Sequence, residues 1–438
     1  MEKIIEVIGV DISQDGEGIA KTKEGYTVFV PYLLPREKAI AKLVQKGKRF
    51  GRAELVELIG KSNNRVVPRC SIYSECGGCQ LQHLDYKAQL LWKEKKVKDS
   101  LSRIGGLVNP KVMPIVGMDN PWYYRNRGQF PVGKEDGEFF WGFFAPKTHK
   151  IVRTNECLIH HEYINEALED LMFQLNQSSF HFPEDTLNHL VVRCGVNTQE
   201  VLVTMVLTEP LSNSSIPIKC SDIKRAVGII ENINQSKGFR VLGKKERTLS
   251  GRSYIEESLL NLRFLISSQS FFQNNTIQAE KLYQKVLDYA NAEGKKVLEL
   301  YSGIGSISLC LAQEAKEVIG VEIVQQAVED AKKNADINNI RNVNFYSIDA
   351  KNIFTQKEIS HDLLVVDPPR KGLEKPVVES ILELEPESIV YASCNPDTLA
   401  RDINLLRRKY SLVEVTPFDL FPQTTHVECV TLMSKVEK

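Results

Sequence analysis

No apolar run in these 438 residues approaches the roughly 20 that a membrane-spanning helix needs, so no membrane partner is expected. The N-terminus, MEKIIEVIGVDISQDGEGIA, lacks a basic stretch followed by an apolar core. That reads as no export signal, and a cytoplasmic location is expected. Excess charge of either sign is missing too, with 56 Lys and Arg against 56 Asp and Glu. Nucleic-acid partners are often basic overall, so any surface for phosphates must here be local. The nine cysteines are an odd number. Without an export signal they do not read as a disulfide framework but as metal-binding or catalytic thiols. What is present is ordinary for a globular protein: 42% hydrophobic and 26% charged residues. The length suggests about three domains.

Residues 1–61 alternate short β-rich runs with the turn signals Asp15-Gly16-Glu17-Gly18 and Glu24-Gly25. About five short strands in such a stretch predict a small barrel. Lys42, Lys46, Lys48, Arg49 and Arg52 cluster with no acid among them. This is either a footprint for a phosphate backbone or a solvated strand face.

Residues 62–275 begin with a thiol cluster, Cys70, Cys76 and Cys79, with Gly77-Gly78 allowing a tight fold. Spacings of six and three suit a soft-metal site. A fourth ligand is needed, and spacing does not choose among Cys157, Cys194, Cys220 and the others. Four thiolates suit zinc or an iron–sulfur cluster equally. Tyr86 to Ile104 patterns as an amphipathic helix, with Leu90, Leu91, Val97 and Leu101 inward and lysines outward. Trp122 to Phe130 interleaves aromatics with Arg125 and Arg127. That suits stacking of unpaired RNA bases, or simply a strand pair with a basic edge.

Residues 276–438 alternate helical and strand patterns, which predicts an α/β doubly wound parallel sheet. The first strand runs into Tyr301-Ser302-Gly303-Ile304-Gly305 and then a helix. A third glycine, as in the dinucleotide fingerprint, is missing; Ser308 or Leu309 stands there. A nucleoside without a pyrophosphate does not need it, so S-adenosylmethionine fits better than NAD. Glu322 ends the next strand, where it can bind two ribose hydroxyls. Asp349 ends the third, where an adenine amino group would fall. Asp367-Pro368-Pro369-Arg370 ends the fourth and Ser393-Cys394-Asn395-Pro396 the fifth. Carboxyl ends of strands face the ligand crevice in such sheets, which is where a nucleophilic thiol belongs. Glu428, at the head of the last apolar run, could meet Cys394 across it.

These residues suit methylation of a ring carbon. C5 of uracil is too weak a nucleophile to attack a sulfonium methyl unaided. Thiolate addition to C6 makes C5 enolate-like, and a base must then remove the C5 proton. Methyltransferases of exocyclic amines need no thiol, and they carry an aromatic where Arg370 stands.

Ser393-Cys394-Asn395-Pro396, Asp367-Pro368-Pro369-Arg370 and Phe421-Pro422-Gln423-Thr424-Thr425-His426-Val427-Glu428 resemble the signature motifs of the RNA uracil-5-methyltransferases. With the barrel and the thiol cluster, the resemblance spans essentially the whole chain. It implies an N-terminal OB-like TRAM barrel that binds RNA (1–61), a central, mainly β, iron–sulfur domain (62–275) and a Rossmann-like S-adenosylmethionine-dependent domain (276–438). It implies Cys394 as nucleophile and Glu428 as base. Gln273, Tyr301, Glu322, Asp349 and Asp367 become donor contacts, and Cys70, Cys76, Cys79 and Cys157 ligands of a [4Fe–4S] cluster. Ser306 departs from members that carry Asn beside the methionine portion. The RNA partner it favours is 23S ribosomal RNA, with a tRNA T-loop uridine as the alternative, and a monomer is expected. RNA cytosine-5-methyltransferases carry a Pro-Cys after the fourth strand, where this chain has Pro-Pro-Arg. An alternative from another class is a non-catalytic RNA-binding iron–sulfur assembly factor.

Overall fold

The computed structural model describes residues 3–177, 186–211, 218–236, 238, 240–353 and 361–436. Strands β1 (Lys3–Ile12), β2 (Gly18–Lys21), β3 (Thr27–Val30), β4 (Lys38–Lys46) and β5 (Phe50–Gly60) close into a barrel in the order β1-β2-β3-β5-β4. Its interior is filled mostly by small residues, among them Ala20, Ala39, Ala41 and Ala53, with Val7, Val28 and Val30. Five strands enclose too little room for larger side chains. Of the predicted basic cluster, Lys46, Lys48 and Arg49 are exposed at the β4–β5 turn. Arg52 is instead drawn to Glu17, at 2.6 Å. The fully buried Glu37 ties the barrel to the segment that follows, accepting from Leu34 N, Ser62 N and both Nε and Nη2 of Arg65.

Helix α1 (Tyr86–Arg103) starts at Asp85, whose carboxylate accepts from Lys87 N and Ala88 N. Its inward face differs from the expected one. Leu91 is 68% exposed, whereas Gln89 and Lys93 are buried with Val97 and Leu101. The apolar rule fails because half of this face packs on backbone carbonyls, which need donors. Tyr86, Gln89, Lys93 and Lys96 share that face by helical spacing and all reach the segment 419–425. Lys93 Nζ lies 2.6 Å from Asp419 Oδ1, both side chains fully buried, and it also donates to the Phe421 carbonyl.

The central sheet has the order β12-β11-β10-β9-β6-β7-β8. Its strands are β6 (Arg127–Glu135), β7 (Glu138–Phe144), β8 (Ile151–Arg153), β9 (Leu187–Cys194), β10 (Val201–Leu207), β11 (Ala226–Ile233) and β12 (Lys245–Gly251). All seven residues of β10 are buried, and α2 (Glu162–Gln177) covers the sheet with Ile164, Leu168, Leu171 and Leu175. The hairpin of β13 (Tyr254–Leu259) and β14 (Leu262–Ser267) then joins the core of the next unit through Ile255, Leu259, Phe264 and Ile266.

That unit comprises α3 (Thr276–Ala290), β15 (Lys296–Leu300), α4 (Ser306–Leu311), β16 (Glu317–Glu322), α5 (Gln325–Ile337), β17 (Val343–Ser347), β18 (Leu363–Val366), α6 (Lys375–Leu384), β19 (Ser388–Ser393), α7 (Pro396–Leu406), β20 (Tyr410–Phe418) and β21 (Glu428–Lys435). The sheet order is β17-β16-β15-β18-β19-β21-β20. The first five strands are parallel, and β21 runs antiparallel to both neighbours. Val297, Val365 and Val390 face one core; Leu298, Leu364 and Tyr391 face the other. Burial on both faces explains strands that read as continuous apolar runs. The order reverses between β15 and β18, which opens the crevice where such folds bind ligands. Residues 111–116 run along β20 and extend the sheet, with Met113 N to Val415 O at 2.8 Å and Val116 N to Pro417 O at 2.9 Å. Among the described residues no helix is long and apolar enough to cross a membrane.

Lys93→Met would leave Asp419 buried without its counter-charge. A loss of about 3–5 kcal/mol is expected in denaturant unfolding. The double change Lys93→Met with Asp419→Asn removes both charges and should recover much of it.

Candidate active site

The fifth parallel strand and the last strand build the centre of the site. β19 pairs with β21 in a register that sets Ala392 opposite Val430 and Ser393 opposite Cys429. Cys394 follows the last pair and Glu428 precedes it, so the two adjoin at the end of this ladder, and the Glu428 carboxylate bears on the thiol. Asn395 then caps α7, its side chain accepting from Asp397 N, and Pro396 occupies the first turn, where its missing N–H costs nothing. The sequence Cys-Asn-Pro thus stops a strand and starts a helix, leaving Cys394 half-buried at the junction. The Asn395 side chain and the Thr398 hydroxyl both donate to the Arg370 carbonyl, which fixes the Asp367-Arg370 turn against this junction.

The electrostatics are lopsided. Burial pushes the Glu428 carboxyl up to about 8, with Asp367 adding to the rise and Arg370 opposing it. Asp367, half-buried just past the end of β18, is pushed up to about 7 by burial alone. Glu299, fully enclosed and accepting from the Ser308 hydroxyl, rises to about 8. Burial, then Glu428 and Asp367, hold the Cys394 thiol up at about 12, against the pull of Arg370. Arg370 has no carboxylate partner among the described residues; its nearest polar contact is His426 Nδ1 at 3.4 Å. Sequence reasoning gave Arg370 and His426 no role, although both stand inside the motifs.

Beside these acids stand the residues expected as donor contacts. Glu322 Oε2 accepts from Gly303 N at 3.1 Å and Oε1 from Val324 N at 2.9 Å, so the main chain aims the carboxylate. Gly303 and Gly305 have φ of +54° and +81°. A Cβ at Gly305 would stand 2.7 Å from the Phe345 ring, whereas at Gly303 it would meet open space. Tyr301 also takes a positive φ, +66°, a strained choice for a non-glycine residue. The buried Ser302 hydroxyl has no hydrogen-bond partner among the described residues. Asp349 is engaged by Lys351 at 3.0 Å. Ser306, the departure noted in the sequence, turns its hydroxyl to Tyr283. Gln273 is buried in the segment before α3, and its carbonyl accepts from the Asn126 side chain.

The thiols gather separately. Cys70, Cys76, Cys79 and Cys157 line one cavity of about 330 Å³, together with Arg125, Arg127 and His160. Cys79 and Cys157 lie deepest, and burial pushes each up to about 12, with the neighbouring thiols adding to the rise. Among the described residues no three or more His, Cys, Asp or Glu side chains converge closely enough to hold a metal ion. Cys194, Cys310 and Cys429 are core residues. The aromatic–arginine stretch divides: Tyr124 and Phe130 are buried, while Trp122 stacks under Arg69 at 4.8 Å.

A sequence profile described as tRNA (uracil-5-)-methyltransferase matches residues 85–436. The chain belongs to that family. An uncharacterized RNA methyltransferase of Bacillus cereus is 41% identical over 449 residues, covering 100% of this chain and 97% of its own. One from Clostridium acetobutylicum is 41% identical over 461 residues, with 100% of both chains covered. Among solved structures, the tRNA (uracil-54, C5)-methyltransferase of Pyrococcus abyssi, in complex with S-adenosyl-L-homocysteine, matches with a TM-score of 0.79 and 30% identity, over 99% of this chain and 100% of its own.

The three raised carboxyls make a stability prediction. Their folded values exceed the unfolded value of about 4, so the folded protein keeps protons that the unfolded chain releases. Stability from these groups is therefore full below about pH 4 and falls as pH rises toward about 8. Glu428→Gln should melt higher than wild type at pH 8 and alike at pH 4, by calorimetry without ligand.

Proposed function

We propose that this RNA (uracil-5-)-methyltransferase transfers the methyl of S-adenosylmethionine to C5 of a uridine in 23S ribosomal RNA, through Cys394 and Glu428. The observation that carries this reading is the β19–β21 register, which brings a thiol next to a buried carboxyl beside a crevice of acids short of cations. A cationic ligand suits that crevice. The donor supplies a sulfonium methyl when bound; Glu322 would hold its ribose, and Asp367 and the Ser302 hydroxyl its methionine end. Tyr301, Asp349 and Gln273 complete the proposed donor contacts.

The target base must leave its stack to reach Cys394. Cys394 Sγ, as thiolate, bonds to C6, and the C5–C6 π electrons pass to an enolate at C5, C4 and O4. C5 takes the methyl, and the sulfur–methyl electron pair stays on the departing thioether. Glu428, as carboxylate, takes the C5 proton; C5=C6 re-forms and the thiolate leaves. The balance returns both protein groups to their starting state once Glu428 gives up its proton. Arg370 and a bound sulfonium both favour the charged forms of Cys394 and Glu428, against the burial that raises them.

The four thiols fit an iron–sulfur cluster. All four line one cavity, and four thiolates are the donor set that such a cluster takes. Arg125 and Arg127 on the cavity wall suit an anionic group. The cluster would cross-link residues 70–79 to Cys157, and methyl transfer draws no electron from it. Protein purified without oxygen is expected to hold about four irons per chain, by metal analysis, and Cys79→Ala to lose them. One zinc per chain would overturn this.

A tRNA target is the second reading, favoured by the Pyrococcus enzyme, whose likeness extends over barrel and central sheet alike. The test is incubation with S-adenosylmethionine and 5-fluorouridine-substituted RNA, as 23S fragments and as tRNA, followed by denaturing electrophoresis. Fluorine cannot leave C5 as a proton, so wild type should stall as a covalent adduct and Cys394→Ala should not. Glu428→Gln should accumulate an adduct even on natural uridine. Sequencing the trapped RNA identifies the target, and trapping of tRNA alone would replace the ribosomal assignment. Methylation by Cys394→Ala would overturn the mechanism.

A further inference from the structure

Gln423 is 2% exposed and has a φ of +69°. A buried, non-glycine residue keeps that conformation only where its surroundings hold it. Here they do so from three sides. Gln89 of α1 donates from Nε2 to Gln423 Oε1 at 2.9 Å and accepts from Gln423 N at 3.1 Å. Gln80 N and Leu81 N, directly after Cys79, donate to the Gln423 carbonyl at 3.0 and 2.9 Å. The buried Tyr124 hydroxyl donates to the Pro422 carbonyl at 2.9 Å. Every anchor lies at least 298 residues away in sequence, and the strained residue stands five before Glu428.

We propose that Gln89 and Tyr124 are positioning residues for Glu428, acting through the strained Gln423 turn, with the loop after Cys79 as the third anchor of the same point. Lys93 and Asp419 stabilise this contact; Gln89 and Tyr124 set its conformation. The proposal rests on the reading of Glu428 as the base. The step it governs is removal of the C5 proton, which comes after thiol addition and methyl transfer. A relaxed turn would move the carboxylate while leaving Cys394, held by β19 and α7, in place.

That separation decides the experiment. Gln89→Met keeps the side-chain length and loses both bonds to Gln423, along with those from its Nε2 to the Leu81 and Leu84 carbonyls. It is expected to bind S-adenosylmethionine and trap 5-fluorouridine RNA at the wild-type rate. On natural uridine RNA, kcat should fall about tenfold or more, with KM within about twofold, and a covalent protein–RNA adduct should accumulate. Tyr124→Phe, which removes one hydroxyl, should show the same pattern more mildly, and it decides the case if Gln89→Met does not fold. Wild-type turnover in both variants would overturn the proposal, as would parallel loss of turnover and trapping, or failure of both to fold. Absence of trapping by wild type itself would instead overturn the thiol mechanism, and this proposal with it.

Discussion

The structure depends on one pairing, the insertion of β21 antiparallel between β19 and β20. In an all-parallel sheet, carboxyl ends alone line the crevice, and each strand offers the residue that follows it. An antiparallel strand brings its amino end to the same edge. That is how Glu428, the first residue of β21, comes to stand against Cys394, just past the last residue of β19. A slip of one residue would turn Glu428 to the other face of the sheet. The buried residues of β21, Cys429, Val430 and Met433, hold the register from both cores.

The second constraint is electrostatic. Glu299 and Glu428 are buried on either side of the half-buried Asp367, which bears on both, and Arg370 is a cation that bears on Glu428 and Cys394. Enclosing carboxyls without counter-charge costs folding free energy, which natural sites tolerate where a ligand relieves it. The same field that raises the carboxyls also raises the thiol. In the empty protein both groups are therefore held in their protonated forms, and a cation entering the crevice shifts both toward the forms that the proposed reaction uses. Thiol and base would then be activated by the same binding event.

Much of this could be read in the sequence, for reasons that differ by element. The parallel strands were legible because burial on both faces makes them continuous apolar runs, and the barrel because its turns carry Asp-Gly and Glu-Gly. Cys394 was legible because Asn395-Pro396 both ends a strand and caps a helix. The inward face of α1 was not. Periodicity assigns apolar residues to the inside, and here Gln89 and Lys93 go inside while Leu91 faces solvent. The partners that explain it, Asp419 and Gln423, lie more than 300 residues on, and no local pattern encodes a contact at that range. Tyr86, Gln89, Lys93 and Lys96 do form a polar stripe of helical spacing, the one signal that could have shown it.

That stripe bears on why the catalytic sheet is not sufficient by itself. The segment 419–427 joins β20 to β21 outside the strand ladders. Its carbonyls are instead met by donors from α1, from the loop after Cys79 and from Tyr124. Residues 111–116 add isolated parallel bridges to β20 at the edge of the same sheet. The matched family profile begins at residue 85, at the start of α1 rather than at the start of the sheet. The packing reaches further back than that boundary: Gln80 N and Leu81 N, before the matched range, bond to the Gln423 carbonyl, so the segment between β20 and β21 is held by parts of the chain that come before the central sheet.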